Sequence, residues 1–147
     1  MLVKVVAQNR RARFDYEILE TVEAGVVLTG PETKSCRAGH VSLAGAYVSF
    51  HGDTPRLKNA MIAKYAYSAP EGHEEKRDRT LLLRKNELAK LQRAVEEKGI
   101  ALIPLEVRAG KHVKILLGLG RGRKRMDKRQ HIKERETSRR VREGREV

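Results

Sequence analysis

The chain has no tryptophan, two phenylalanines and four tyrosines in 147 residues. An aromatic platform that stacks successive bases is therefore a minor theme at most, and any nucleic-acid contact has to rest on phosphates and shape. Cysteine is almost missing as well. The single Cys36 closes no internal disulfide, which fits a reducing cytoplasm. No apolar run approaches the length of a membrane span, and no amphipathic segment sets a basic face against Trp, Phe and Leu, so membrane attachment is not expected. The opening MLVKVVAQNRRARFD has an apolar patch too short for a secretory leader, with arginine after it rather than before. Acidic residues are in deficit: 19 Asp+Glu face 32 Lys+Arg, a net charge of +13. That excess points to a polyanionic partner.

The excess is concentrated at one end. Residues 123–147, RKRMDKRQHIKERETSRRVREGREV, hold eleven Lys/Arg and five Asp/Glu. Their apolar members, Met126, Ile132, Val141 and Val147, recur at neither a helical nor a strand period, so the stretch builds no core. It carries +6 of the total and leaves +7 on the rest. The expected organisation is one folded unit over 1–122 with a basic tail over 123–147.

Within the folded unit, residues 1–8 alternate and suggest a short strand or ordered arm, and the cluster at 9–13 is too polar for a core. Residues 14–29, FDYEILETVEAGVVLT, read as one long strand with a bulge at Gly25, ended by Gly30-Pro31. A short helix or turn over 32–43 closes at Gly39. A strand at 46–50, a hairpin signal at His51-Gly52-Asp53 and a return strand at 57–63 follow. Residues 68–80 are polar and loop-like. The clearest helix starts at Asn86 as N-cap, puts Leu88, Leu91, Gln92 and Val95 on one face, and closes at Lys98-Gly99. Strands at 100–107 and 112–119 flank a turn at 109–111. The pattern is mainly β. It predicts a small closed antiparallel β-barrel, OB-fold-like, with two to three short helices.

Candidate chemistry is sparse. His40, His51, His73, His112 and His131 lack a cysteine partner at ligand spacing, so no metal site is expected. Cys36 sits between Lys34-Ser35 and Arg37, which would depress its pKa, but no base or orienting group accompanies it. The carboxylate pairs Glu74-Glu75 and Glu96-Glu97 lie on solvated segments. No catalytic residue, cofactor or metal is expected, and the chain does not read as an enzyme. The run Gly118-Leu119-Gly120-Arg121-Gly122 lacks the context of a nucleotide-binding loop. Its small residues suggest instead a close approach of the backbone to an RNA, lined by Arg121, Arg123 and Lys124. Two further basic groups, 9–13 and Lys34 to His40, support the same partner. In the second, Ser35 and backbone amides would serve phosphates while Lys34 and Arg37 supply charge.

The ordered set NRRARFDYEILETVEAGVVLTG (9–30), ETKSCRAGHVSL (32–43), TLLLRKNEL (80–88), KGIALIPLEV (98–107), VKILLGLGRGRK (113–124) and DKRQHIKERE (127–136) resembles the SsrA-binding protein family, small protein B. The resemblance implies an OB-fold barrel that binds the tRNA-like domain of transfer-messenger RNA and helps deliver it, with elongation factor Tu and GTP reached through the RNA, to stalled ribosomes. It implies a tail that orders in the empty message channel of the small subunit, near the decoding centre. Position by position, it implies RNA contacts at Asn9, Arg11, Arg13, Glu23, Lys34, Ser35, Arg37, Gly39, Leu82, Lys114, Arg121, Gly122, Arg123 and Lys124. Ribosome contacts would fall on Met126, Asp127, Lys128, Arg129, Ile132, Lys133 and Arg135. Glu23 is the odd member, because a carboxylate repels phosphate. Accepting from base edges or 2′-hydroxyls, or orienting an arginine, would explain it. A cytoplasmic monomer is the expected state. The other reading left open by the residues is a general basic OB-fold RNA-binding protein of the translation apparatus.

Overall fold

In the computed structural model, the described residues are 3–64 and 74–123. They form β1 (Lys4–Gln8), α1 (Arg10–Asp15), β2 (Tyr16–Val26), α2 (Gly30–Arg37), β3 (Val41–Ser42), β4 (Tyr47–His51), β5 (Thr54–Lys58), β6 (Met61–Ile62), β7 (Arg79–Leu82), α3 (Lys85–Ala94), β8 (Ile100–Ala109) and β9 (Val113–Gly122). Seven strands make one sheet in the order β1-β8-β9-β2-β7-β5-β4, and β3 pairs with β6 beside it. Every pairing is antiparallel. The sheet curls until β4, at one end of the ladder, lies against β8 near the other. Among the described residues β4 and β1 share no hydrogen-bonded ladder, so the observed fold is mainly β with three helices.

Strand alternation divides the side chains between two cores. Leu102, Val107, Ile115, Leu117 and Ala24 face the inside of the curl, where Leu57, Leu81 and Leu91 complete the larger core. On the outer face, Ala12 of α1 packs on Ile103, Leu105 and Leu116. The cluster at 9–13 is thus not purely a solvated loop. Asn9 is buried, its Oδ1 accepts from the Ala12 amide at 3.1 Å, and its Nδ2 donates to the Pro104 carbonyl at 3.0 Å. One amide side chain both caps α1 and fixes it to β8.

Several expected boundaries move. The irregularity in β2 lies between Ile18 and Glu20 rather than at Gly25, and it leaves Leu19 exposed. Gly25 stays in register because it needs to be small: a Cβ there would stand 3.2 Å from Leu82 Cβ. Gly30-Pro31 opens α2 as well as ending the strand, since Thr29 and Glu32 form a reciprocal capping box. The same helix ends in a Schellman arrangement at Gly39 (φ +83°), with the Gly39 amide on the Cys36 carbonyl and the His40 amide on that of Ser35. The return strand splits into β5 and β6 at Asn59, whose φ is 61°. The third helix is capped by Arg84 rather than Asn86, and Glu87 accepts from the Arg84 amide at 3.3 Å.

The largest departure is Arg79, which the polar segment 68–80 hides. It is fully buried beside Glu32. Its Nε donates to Glu32 Oε2 at 2.8 Å, Nη1 to the Ala60 carbonyl at 2.8 Å and Nη2 to the Glu75 carbonyl at 3.0 Å. Arg77 donates to the other Glu32 oxygen. Burial alone would raise the Glu32 pKa, but the hydrogen bonds from Arg77, the Thr29 amide and Arg79, together with the Arg79 charge, hold it down at about 2.

Candidate nucleic-acid interface

Helix α1 covers only part of the outer sheet face. Beyond it, cross-strand partners line up as Val5, Arg108, Lys114, Gly25 and Leu82, one from each of five adjacent strands. Paired residues project to the same side, so this row is a shelf with two cations at its centre and apolar ends. Leu82 is 57% exposed and Val5 42%. The next row holds Glu106, Leu116 and Glu23. Arg108 links the rows: its Nε donates to Glu106 Oε2 at 3.1 Å and its Nη1 to Glu23 Oε2 at 3.4 Å. Arg13 reaches over from α1 to Glu106 at 3.8 Å. Glu23 thus stands in a chain of alternating charges that two arginines balance, as an orienting role would require.

The expected contact residues fall into three groups. Glu23, Leu82, Lys114 and Arg13 meet on or beside the shelf. Lys34 and Arg37 are both exposed on α2, and Arg37 reaches the turn that joins β8 to β9. There Arg37 donates to the carbonyls of Gly110 at 2.7 Å and Lys111 at 3.1 Å. Arg121, Gly122 and Arg123 lie at the opposite end of β9, where the Arg123 amide donates to the Asp15 carbonyl at 2.9 Å. Arg11 is near that end too, paired with Asp15 at 3.2 Å and stacked over Phe14. Lys124, Met126, Asp127, Lys128, Arg129, Ile132, Lys133 and Arg135, and with them the tail expectations, lie outside the described residues.

Of the other expected residues, Asn9 and Ser35 are turned inward. Asn9 spends its amide on α1 and β8. Ser35 is fully buried and its Oγ donates to the Ala63 carbonyl at 2.7 Å, so it has no hydroxyl to offer a phosphate. Gly39 serves the helix end. The glycines of β9 are small for an internal reason: a Cβ at Gly118 would meet Leu105 Cδ1 at 2.7 Å, and one at Gly120 would meet Tyr16 Cβ at 2.9 Å. What approaches this backbone closely is the chain's own second core. Cys36 is 1% exposed, and desolvation lifts its thiol to about 11, the reverse of the expected depression; Arg79 lowers it only in part. The neighbouring lysine and arginine face solvent on the other side of α2.

The sequence reading gives Arg108, Glu106, Gly25 and Val5 no part in the site. Their common signal is register: once Gly25 is opposite Lys114, the row follows. Among the described residues no group of three or more His, Cys, Asp and Glu could hold a metal ion, and no helix is long and apolar enough to cross a membrane.

Comparison with known proteins converges on one family. The family described as SmpB protein matches residues 6–146. An SsrA-binding protein of Lactobacillus helveticus is 48% identical over 94% of this chain and 91% of its own length. One from Chlorobaculum tepidum is 46% identical over 90% and 86%. A solved chain from work described as "tmRNA-SmpB: a journey to the center of the bacterial ribosome" superposes with a TM-score of 0.68 at 43% identity, covering 85% of this chain and 92% of that one.

Proposed function

Because this chain belongs to the SmpB protein family, we propose that it is a non-enzymatic RNA-binding adaptor of trans-translation. It binds the tRNA-like domain of transfer-messenger RNA and promotes delivery of that RNA to stalled ribosomes in the cytoplasm, with elongation factor Tu and GTP engaged through the RNA. The tail, residues 123–147, enters the empty message channel near the decoding centre, so that the unfinished peptide is tagged for degradation and the ribosome released. The folded unit, 1–122, is an OB-type barrel whose last side closes by packing of β4 on β8. The observation that carries the reading is the shelf: Arg108 and Lys114 at its centre, a bare backbone at Gly25, and exposed Leu82 and Val5 at its ends. A broad, shallow, cationic surface without aromatic pegs suits the wide minor groove and phosphates of folded RNA.

A competition gel shift at fixed salt tests it. Transfer-messenger RNA is expected to displace bulk tRNA from the wild-type protein, and Lys114→Glu to remove that preference. Equal affinity for the two RNAs would return the chain to the class of general basic RNA-binding proteins.

A further inference from the structure

Glu23 poses a chemical problem that the shelf itself answers. A carboxylate accepts and does not donate, so beside a polyanion it is repelled unless the RNA offers it an N–H or O–H. The base edges in a minor groove offer a single donor, the N2 amino group of guanine; the remaining atoms are acceptors. Within that groove the 2′-hydroxyl, present on every ribose, is the one other donor.

The geometry leaves Glu23 prepared for one such donor. Its Oε2 accepts from Arg108 at 3.4 Å, while no hydrogen bond to Oε1 occurs among the described residues. Arg108 is itself held by Glu106 at 3.1 Å and Glu106 by Arg13 at 3.8 Å, so the carboxylate is oriented from one side and open on the other. Lys114, diagonal to it across β2 and β9, has no acceptor among the described residues. Gly25, opposite Lys114 and two residues along β2 from Glu23, carries no side chain, and a Cβ there would stand 3.2 Å from Leu82 Cβ.

We propose that Glu23 reads one guanine of the bound RNA through its N2 amino group, with Arg108 as the positioning residue and Lys114 on the adjoining phosphate. The proposal rests on the function argued above and names what that site recognises.

Single guanosine-to-inosine replacements across the tRNA-like domain remove N2 and, where the base is paired, the third hydrogen bond of its G·C pair, a cost to the RNA that wild type and Glu23→Ala share. With the full-length protein, one position is expected to lose about tenfold in affinity, the worth of one hydrogen bond to a charged group. The same replacement should cost Glu23→Ala less than about twofold, since the acceptor is already gone. Arg108→Met should reduce the inosine effect without abolishing it. If wild type tolerates inosine at every position, or if sensitivity follows 2′-deoxy substitution instead, the base-reading proposal is overturned. Neither outcome touches the parent reading, which fails separately if Lys114→Glu keeps its preference for transfer-messenger RNA.

Discussion

Replacing Arg79 with methionine removes a guanidinium that is 0% exposed and leaves three partners behind. Glu32, itself 1% exposed, keeps Arg77 and the Thr29 amide but loses the charge that faces Oε2, and the Ala60 and Glu75 carbonyls lose their donors. Removing one member of a buried pair costs about 3–5 kcal/mol, against a whole stability on the order of 5–15 kcal/mol. Urea unfolding followed by circular dichroism should show the midpoint fall with an unchanged slope. The acid limb supplies a second readout. With its pKa held at about 2 against an ordinary 4.5, Glu32 contributes stability that is complete above the unfolded value and is lost as pH falls through the folded one. Arg79→Met raises the folded value, so acid unfolding should begin at higher pH. Glu32→Leu combined with Arg79→Met should recover part of the loss, because no lone charge is then buried. A single-variant cost below about 1 kcal/mol would refute the claim that this ion pair pins α2 to the start of β7.

Gly120→Ala should destabilise by about 1–3 kcal/mol in the same assay, because the new methyl meets Tyr16 Cβ at 2.9 Å. Gly30→Ala, with open space around it, should stay within about 0.5 kcal/mol; equal costs would remove the packing explanation for the β9 glycines. At pH 8 the Cys36 thiol, lifted to about 11 from an ordinary 9.0, should alkylate with iodoacetamide about a hundredfold more slowly in the folded protein than in urea, from its thiolate fraction alone. Comparable rates would show the site to be open.

Much of the strand pattern was legible because alternation and β-branched runs survive folding: β2, β4, β8 and β9 lie close to where their residues place them. What failed did so for local reasons. Asn59 has nothing in its neighbours to announce a left-handed turn, so β5 and β6 read as one strand. Arg79 looks like any charge in a polar loop until Glu32, 47 positions away, supplies a buried partner. Glu32 had a readable signal of its own, the spacing from Thr29 that makes a capping box. In the candidate site, Lys114 and Leu82 came through the family resemblance alone, while residue type assigned Ser35 and the cluster opening at Asn9 to RNA. Short polar side chains satisfy backbone groups as readily as phosphates, and only burial separates the two uses.

Strand β9 measures the distance between the two surfaces. Lys114 and Arg121 are seven residues apart, about 23 Å along an extended strand. The shelf occupies the first end and the exit toward the tail the second, where the Arg123 amide is tied to Asp15 and Gly122 to Gly99. A ligand on the shelf therefore need not touch the exit, and a Debye length of about 8 Å at physiological salt screens one from the other. Any coupling between the surfaces has to run through packing, and α1 is the element placed to carry it. Its Arg13 reaches Glu106 behind the shelf, while its Asp15 carbonyl holds the residue from which the tail departs.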